Sequence, residues 1–564
     1  MVSAYVLIFI AQFFTFGSDN IFWTTNGNGS TSHYKGTVVN NGWQYHPWYC
    51  GIVMAIVAYI FYSQSPKIIW YLVAAIFCLI MGLGGSWLGL VSIVLAGYAV
   101  YLKRKETPKN TIAKPGVKKL NILFMRKIIF LLLLPALLSA QKNYTQLLDK
   151  YAQAQLDVKG FSGAVLVMQK NKVLLKKAYG LADREWNIPN TTDTKFRIGS
   201  ITKQFTAASI LQLIEQGRLS LDDRLSKFIP GFPKGDSVTI HMLLNHTSGI
   251  ASYTEQPDFN KVDKLSLGMD SMISFFKSRP YNFSPGAKYQ YSNSGFFLLG
   301  YIIEKVSGQS YENYLRKNIL DKLGMMNSDV DRLDSILPLR AKGYSKVKGK
   351  YVNADFISLA WPFSAGVLFS TVDDMYKWDR ALYGTSVISA SSKQKMFTPG
   401  KSNYGYGIII DSFENHLRTW HNGGIPGFLT HISRYINDDV CVIVLSNDES
   451  NADGVANGLA GIVFDVPVEY PYIHKEIKLD PSLLDRYVGK YNAFLTLEVI
   501  KKDGKLYRHR DGTPDIELKP ESETKFFYAD DSDRQLEFEL DKDGKVTKIW
   551  FINNEQRGEM KRVQ

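Results

Sequence analysis

The sequence predicts an α+β domain set between an apolar, multi-helix amino-terminal region and a small all-β carboxy-terminal module. Three observations carry this reading. The first hundred residues are dominated by apolar runs, with almost no charge across 68–102. Between about 141 and 470, strand-like runs stand at both ends with helical and loop material between them, an order that puts the terminal strands in one sheet. After Pro467, the turn signals Asp503-Gly504, Asp511-Gly512 and Asp543-Gly544 separate short alternating runs. With 564 residues and a hydrophobic share of 45%, the chain has room for several domains of ~100–200 residues each.

Residues 1–102 read as a multi-helix transmembrane region. The apolar runs at 3–16, 49–63, 68–83 and 86–102 are each near or below the ~17–25 residues a spanning helix needs, and together they make four crossings. Net charge is +13, but much of the excess lies in Lys103, Arg104, Lys105, Lys109, Lys114, Lys118 and Lys119. Beside membrane segments, that 103–124 linker reads as a cytoplasmic loop, so a membrane is expected as partner and nucleic acid is not. The polar 17–47 loop then lies outside. Met125-Arg126-Lys127 precedes the apolar Ile128–Ala140, making 125–140 a signal-peptide-like or anchor segment that carries the rest of the chain across the membrane. Leu138 occupies a position where cleavage favours a small residue. An internal signal fits equally well two joined reading frames, with residues 1–124 absent from the mature protein.

In the 141–470 domain, Tyr144, Leu147, Leu148, Tyr151, Ala152 and Leu156 mark a helix over about 144–157. Gly163–Met168 and Lys172–Gly180 are strands joined by a turn through Lys170-Asn171. Helical and loop material is expected over 205–400, and strands return at 404–410, 430–436 and 439–446. Of three cysteines, Cys50 and Cys78 lie in the apolar region, which leaves Cys441 without an internal disulfide partner and as a small core residue. Residues 476–564 form the small all-β domain, a barrel or a sandwich, with its aromatics in the core.

The segment Phe196-Arg197-Ile198-Gly199-Ser200-Ile201-Thr202-Lys203 carries the chemistry. Gly199 ends an extended run, and from Ser200 the residues Ile201, Phe205, Ala208, Leu211 and Leu213 recur at helical spacing toward Gly217. Ser200 then sits in the first turn with Lys203 one turn further on the same face. A serine hydroxyl is a weak nucleophile near neutral pH, and a lysine screened from water can lose its proton and become the base that activates it. The helix start adds free N–H groups and the positive end of the macrodipole.

Two later stretches join this pair: Tyr291-Ser292-Asn293 and His421-Asn422-Gly423-Gly424. Ser-x-x-Lys, Tyr-x-Asn and a basic residue-x-Gly, in that order, resemble the serine β-lactamase and penicillin-binding-protein superfamily, nearest to class C β-lactamases, D-alanyl-D-alanine peptidases and related esterases. Leu243-Leu244-Asn245-His246-Thr247-Ser248-Gly249 and Ala365-Gly366-Val367-Leu368-Phe369-Ser370-Thr371 resemble family phrases too. The likeness spans roughly 145–450 and implies a β-lactamase/transpeptidase-like fold, an antiparallel sheet packed on a helical subdomain with the active site between them.

The resemblance also implies roles. Ser200 attacks a carbonyl carbon to form an acyl-enzyme, Lys203 takes or relays its proton, and Tyr291 is a second relay whose phenolate neighbouring cations would favour. Asn293 bonds Lys203 or the substrate amide. His421 stands where many relatives carry lysine, which weakens recognition of a substrate carboxylate and favours esterase or aminopeptidase-like activity. Gly423 and Gly424 bring their strand close to the substrate, and the Gly424 and Ser200 amides form an oxyanion hole. His246 is expected to be a structural, hydrogen-bonded histidine. No His-Glu-x-x-His and no Cys/His cluster at metal spacing occurs, so neither metal nor cofactor is expected. The implied function is a serine hydrolase acting outside the cytoplasm on an ester, amide or D-amino-acid peptide, with a small molecule or peptide as substrate and the oligomeric state unassigned. The rivals are a penicillin-recognising membrane sensor, acylated without rapid turnover, and an idle binding module. The intact triple motif opposes the second.

Overall fold

The computed structural model describes residues 143–563 apart from 348, 494–495, 531–532 and 554–555. The expected transmembrane region, the basic linker and the 125–140 segment lie outside the described residues. Among the described residues no helix is long and apolar enough to cross a membrane.

The first element, α1 (Tyr144–Ala154), starts where Asn143 accepts a hydrogen bond from the Gln146 amide, and it buries Leu148, Tyr151 and Ala152 on one stripe. Strands β1 (Gly163–Gln169) and β2 (Lys172–Tyr179) come next. Lys170 and Asn171 both take left-handed φ, 49° and 60°, the geometry of a two-residue hairpin turn matched to strand twist.

Late in the domain come β3 (Ile409–Phe413), β4 (His416–Ile425), β5 (Phe428–Tyr435) and β6 (Val440–Ser446). They assemble with the first two strands in the order β3-β4-β5-β6-β1-β2. β1 and β6 pair antiparallel from Gly163↔Ser446 to Gln169↔Val440, so the two ends of the domain meet in one sheet as expected. The strand expected at 404–410 begins instead at Ile409, because Gly407 at φ +70° turns the chain just before it. β4 has no counterpart among the expected strands beyond its pair of glycines. Short strand pairs also interrupt the 205–400 stretch, among them Tyr344–Val347 with Lys350–Asn353.

Both faces of this sheet are covered, which is why β1 and β6 read as unbroken apolar runs. Val165, Val167, Val442 and Val444 pack toward α1 and the late helix Ala452–Val463. Ala164, Leu166, Ile443 and Leu445 pack toward the helical layer. At the centre of that layer lies α2 (Thr202–Glu215), buried at every position from Thr202 to Leu213. Each of its buried glutamines and Thr206 has a partner, although Gln204 Nε2 and Gln212 Oε1 have none among the described residues: Gln204 accepts from Trp378 Nε1 at 2.8 Å, Thr206 bonds the Ser364 carbonyl at 2.7 Å, and Gln212 donates to the Val387 carbonyl at 2.9 Å.

After the sheet, eight strands from Gly489–Asn492 to Gln556–Arg562 close into a barrel, of the two shapes that the turn signals allowed. The pairing Tyr491↔Arg562 joins first strand to last. Asp503 and Gly504 take φ of 52° and 72°, and Gly512 and Gly544 are left-handed as well. Tyr487, Tyr491, Phe526 and Phe538 fill the interior.

One buried ion pair ties the helical layer to the sheet. Arg434 of β5 donates to Asp379 at 2.6 Å, Arg380 donates to the other Asp379 oxygen, and Arg380 reaches Asp439 at 2.6 Å. Asp379 and Arg434 are both buried. Asp379→Ala leaves a guanidinium unpaired in the interior, and chemical denaturation is expected to show a loss of about 3–5 kcal/mol.

Candidate active site

Ser200 lies in a single 3₁₀ turn, Gly199–Ile201, between the short strand Phe196–Arg197 and α2. The turn precedes the α-helix rather than belonging to it, and Ser200 stays half-buried and reachable. Lys203, in the first turn of α2, is completely buried. Its Nζ stands 3.0 Å from Ser200 Oγ, 2.8 Å from Asn293 Oδ1 and 2.8 Å from the Ala365 carbonyl oxygen. Burial drives the ammonium well below its ordinary value of 10.5, toward the neutral amine that can serve as a base.

Those contacts dictate how the amine is used. Asn293 Nδ2 donates to Thr254 Oγ1 at 3.1 Å, which turns the amide oxygen toward Lys203. Asn293 Oδ1 and the Ala365 carbonyl can only accept, so they take the two N–H bonds of a neutral amine. In that neutral form the lone pair faces the Ser200 hydroxyl, 3.0 Å away. The arrangement can therefore accept the serine proton without first losing one of its own.

Asn293 opens the helix Asn293–Ser307, capped by Ser292, whose side chain accepts from the Gly295 amide. Tyr291 immediately precedes that cap. The Lys203 Nζ lies 4.8 Å from the Tyr291 ring centroid. Burial of its hydroxyl end pushes the phenol upward, and a hydrogen bond with Ser200 opposes this only in part. The expectation of a phenolate favoured by cations is thus corrected: desolvation dominates, and Tyr291 rests as a phenol.

His421 is corrected in the same way. It is buried, and desolvation above all brings its imidazolium down to about 3. Both ring nitrogens are engaged. Nδ1 lies 2.5 Å from the Asn422 carbonyl and must carry the hydrogen, so Nε2 accepts from the Tyr404 hydroxyl at 2.9 Å. His421 does come within 6.2 Å of the Tyr291 ring, centroid to centroid, but as a neutral strut rather than a charged donor.

The third motif reaches the serine through glycine. A Cβ on Gly199, at φ +50°, would fall 2.8 Å from the Gly424 nitrogen, so that amide stands against the Gly199–Ser200 peptide. A Cβ on Gly423 would fall 1.9 Å from the Ile198 carbonyl oxygen and 2.5 Å from Thr430 Oγ1. One on Gly424 meets only Leu429 Cδ2 at 3.4 Å. Close approach therefore requires Gly423, whereas Gly424 has room for a methyl.

Three contributors escape a reading of the sequence. The Ala365 carbonyl lies in a phrase that carries only a family likeness. Tyr404 falls where a strand is expected, although Tyr404-Gly405-Tyr406-Gly407 is a poor strand sequence and its glycines are the available signal. Gly407 itself backs Lys203, since a Cβ there would lie 2.6 Å from the Lys203 carbonyl oxygen.

Gly423→Ala is expected to slow covalent labelling of Ser200 by a fluorophosphonate about 10²-fold, because it pushes β4 off the serine turn. Gly424→Ala is expected to label near the wild-type rate.

Residues 148–462 match the Beta-lactamase family model, and 474–561 match a domain of unknown function, DUF3471. A penicillin-binding protein of Bacillus subtilis (strain 168) is 32% identical over 431 residues, covering 69% of this chain and 93% of that protein. The crystal structure of a penicillin binding protein from Bacillus halodurans superposes with a TM-score of 0.51 at 30% identity, over 55% of this chain and 98% of that one. The octameric penicillin-binding protein homologue from Pyrococcus abyssi gives a TM-score of 0.54 at 28% identity, over 73% of this chain and 99% of that one. The chain belongs to the serine β-lactamase and penicillin-binding-protein superfamily.

Proposed function

We propose that this protein is a serine hydrolase that forms an acyl-enzyme on Ser200, acting on an ester, amide or D-amino-acid peptide outside the cytoplasm. The observation that carries the proposal is the buried Lys203 Nζ, 3.0 Å from the Ser200 oxygen and held by Asn293 Oδ1 and the Ala365 carbonyl. Ser200 Oγ attacks the carbonyl carbon as its proton passes to Lys203 Nζ. The oxyanion that develops is met by the amides of Ser200 and Gly424; one such donor is worth ~2.7–4 kcal/mol of transition-state stabilisation. As the tetrahedral centre collapses, the Tyr291 phenol passes a proton to the leaving oxygen or nitrogen and recovers one from the Lys203 ammonium. Water then attacks the acyl carbon by the same route in reverse and frees Ser200.

The neutral, fully bonded His421 bears on substrate class. A cation at this point would pair with a free carboxylate, and here there is an imidazole that stays uncharged at neutral pH. This supports acyl substrates whose end at that position is uncharged. Action outside the cytoplasm rests on the hydrophobic 125–140 segment.

The test is to treat the full chain and its Ser200→Ala variant with a fluorophosphonate and a fluorescent penicillin, following both attachment and release. Attachment that disappears in Ser200→Ala, with release and renewed labelling, is the expected result. A label that persists on Ser200 points to the sensor, and labelling unchanged in Ser200→Ala removes Ser200 from the mechanism.

A further inference from the structure

His246 is buried, with 1% of its surface exposed, and has a backbone φ of +59°, left-handed for a residue with a side chain. Such strain persists where the surroundings demand it and is concentrated at functional sites. The helix Ile240–Leu244 ends at Asn245, and the turn beyond it points the imidazole inward. Its ring is enclosed by Tyr291, Tyr404 and Phe296, with centroids at 4.3, 4.6 and 5.1 Å.

Two hydrogen bonds from His246 bracket Tyr291. The Gln290 amide donates to its backbone carbonyl at 3.0 Å, and the Ser292 amide donates to its Nδ1 at 3.1 Å. The residue thus grips the chain one position before the phenol and one position after it, while the ring packs on the phenol itself. Nδ1 must be unprotonated to accept, which places the hydrogen on Nε2, and that atom is buried with no hydrogen-bond partner among the described residues. An orphaned buried donor is costly, so the requirement for an acceptor at Nδ1 outweighs it. A structural histidine would more simply use both nitrogens, as His241 does with Tyr406 and Asn245.

We propose that His246 is the positioning residue of the Tyr-x-Asn segment, its Nδ1 and carbonyl holding residues 290–292 so that Tyr291 faces Ser200 and Asn293 faces Lys203. This goes beyond the expectation of a merely structural histidine, and it rests on Ser200 being the nucleophile. Burial drives the imidazolium well below its ordinary value. Protonation or loss of Nδ1 as acceptor would free the Ser292 amide and let the phenol drift.

The test compares His246→Phe, which keeps a ring but has no acceptor, with His246→Asn, which has an acceptor oxygen and tolerates left-handed φ. The readout is the fluorophosphonate labelling rate per folded molecule of full chain, with melting temperature recorded beside it. His246→Phe is expected to label ten- to about a hundredfold more slowly than wild type, and His246→Asn to recover most of the rate. Equal rates in wild type and His246→Phe, or equal loss in both variants, overturn the proposal. Should His246→Phe fail to fold, ¹⁵N NMR of the wild-type imidazole decides: Nδ1 unprotonated with hydrogen on Nε2 supports it, and hydrogen on Nδ1 overturns it. Absence of label on wild type would sink the Ser200 reading itself, which separates the two failures.

Discussion

An amine held out of water between two oxygens that can only accept is the constraint on which this structure turns. A neutral Lys203 keeps its lone pair for Ser200 because Asn293 and the Ala365 carbonyl occupy its hydrogens, and burial favours that form by stripping an ammonium of the water that would stabilise it. The arrangement lowers stability. In the unfolded chain the same lysine is protonated up to about 10.5, so between its depressed folded value and that pH the unfolded state binds more protons. Stability therefore rises with pH across that window, and at neutral pH the fold carries a cost that the surrounding core must offset.

The core is arranged to do so. α2 is buried along nearly its whole length, so the first turn that bears Lys203 is anchored by the packed positions behind it. The sheet brings residues more than two hundred positions apart together, because β1 and β6 pair and β5 and β4 come after in order. That order sets Gly423 against the Ile198 carbonyl and the Gly424 amide against the serine turn. The site is thus assembled from close backbone contacts as much as from side chains. Its aromatic wall of half-buried Tyr291 and buried Tyr404, His246 and His421 then disfavours charge in the same space.

Legibility in the sequence depends on whether a feature leaves a local trace. Ser200, Lys203, Tyr291, Asn293 and the glycines of the third motif are legible because each sits in a short phrase at helix starts or in a strand, and the structure brings them into one cluster. The shared sheet is legible from the apolar runs at 163–168 and 439–446. Protonation states are not, because they depend on burial contributed by distant elements: a serine-lysine pair on an exposed helix would have the same spelling, and so would a tyrosine beside a charged lysine. A backbone carbonyl such as that of Ala365 has no residue signature at all. Tyr404 is hidden by aromatic content that suggests a strand, against which the left-handed Gly407 prevails. His246 can be read as buried and bonded, but that its Nδ1 serves the amide next to Tyr291 emerges only once the 246 turn and the 290–293 segment are seen side by side.

The most direct test is the charge on Lys203 itself. In full chain carrying ¹³C at lysine Cε, the Lys203 resonance is assigned by its loss in Lys203→Met and monitored as pH is varied. The account predicts an amine at neutral pH, with its titration well below 10.5. A resonance that remains an ammonium until the pH approaches 10.5 would contradict it, leaving Ser200 without a base.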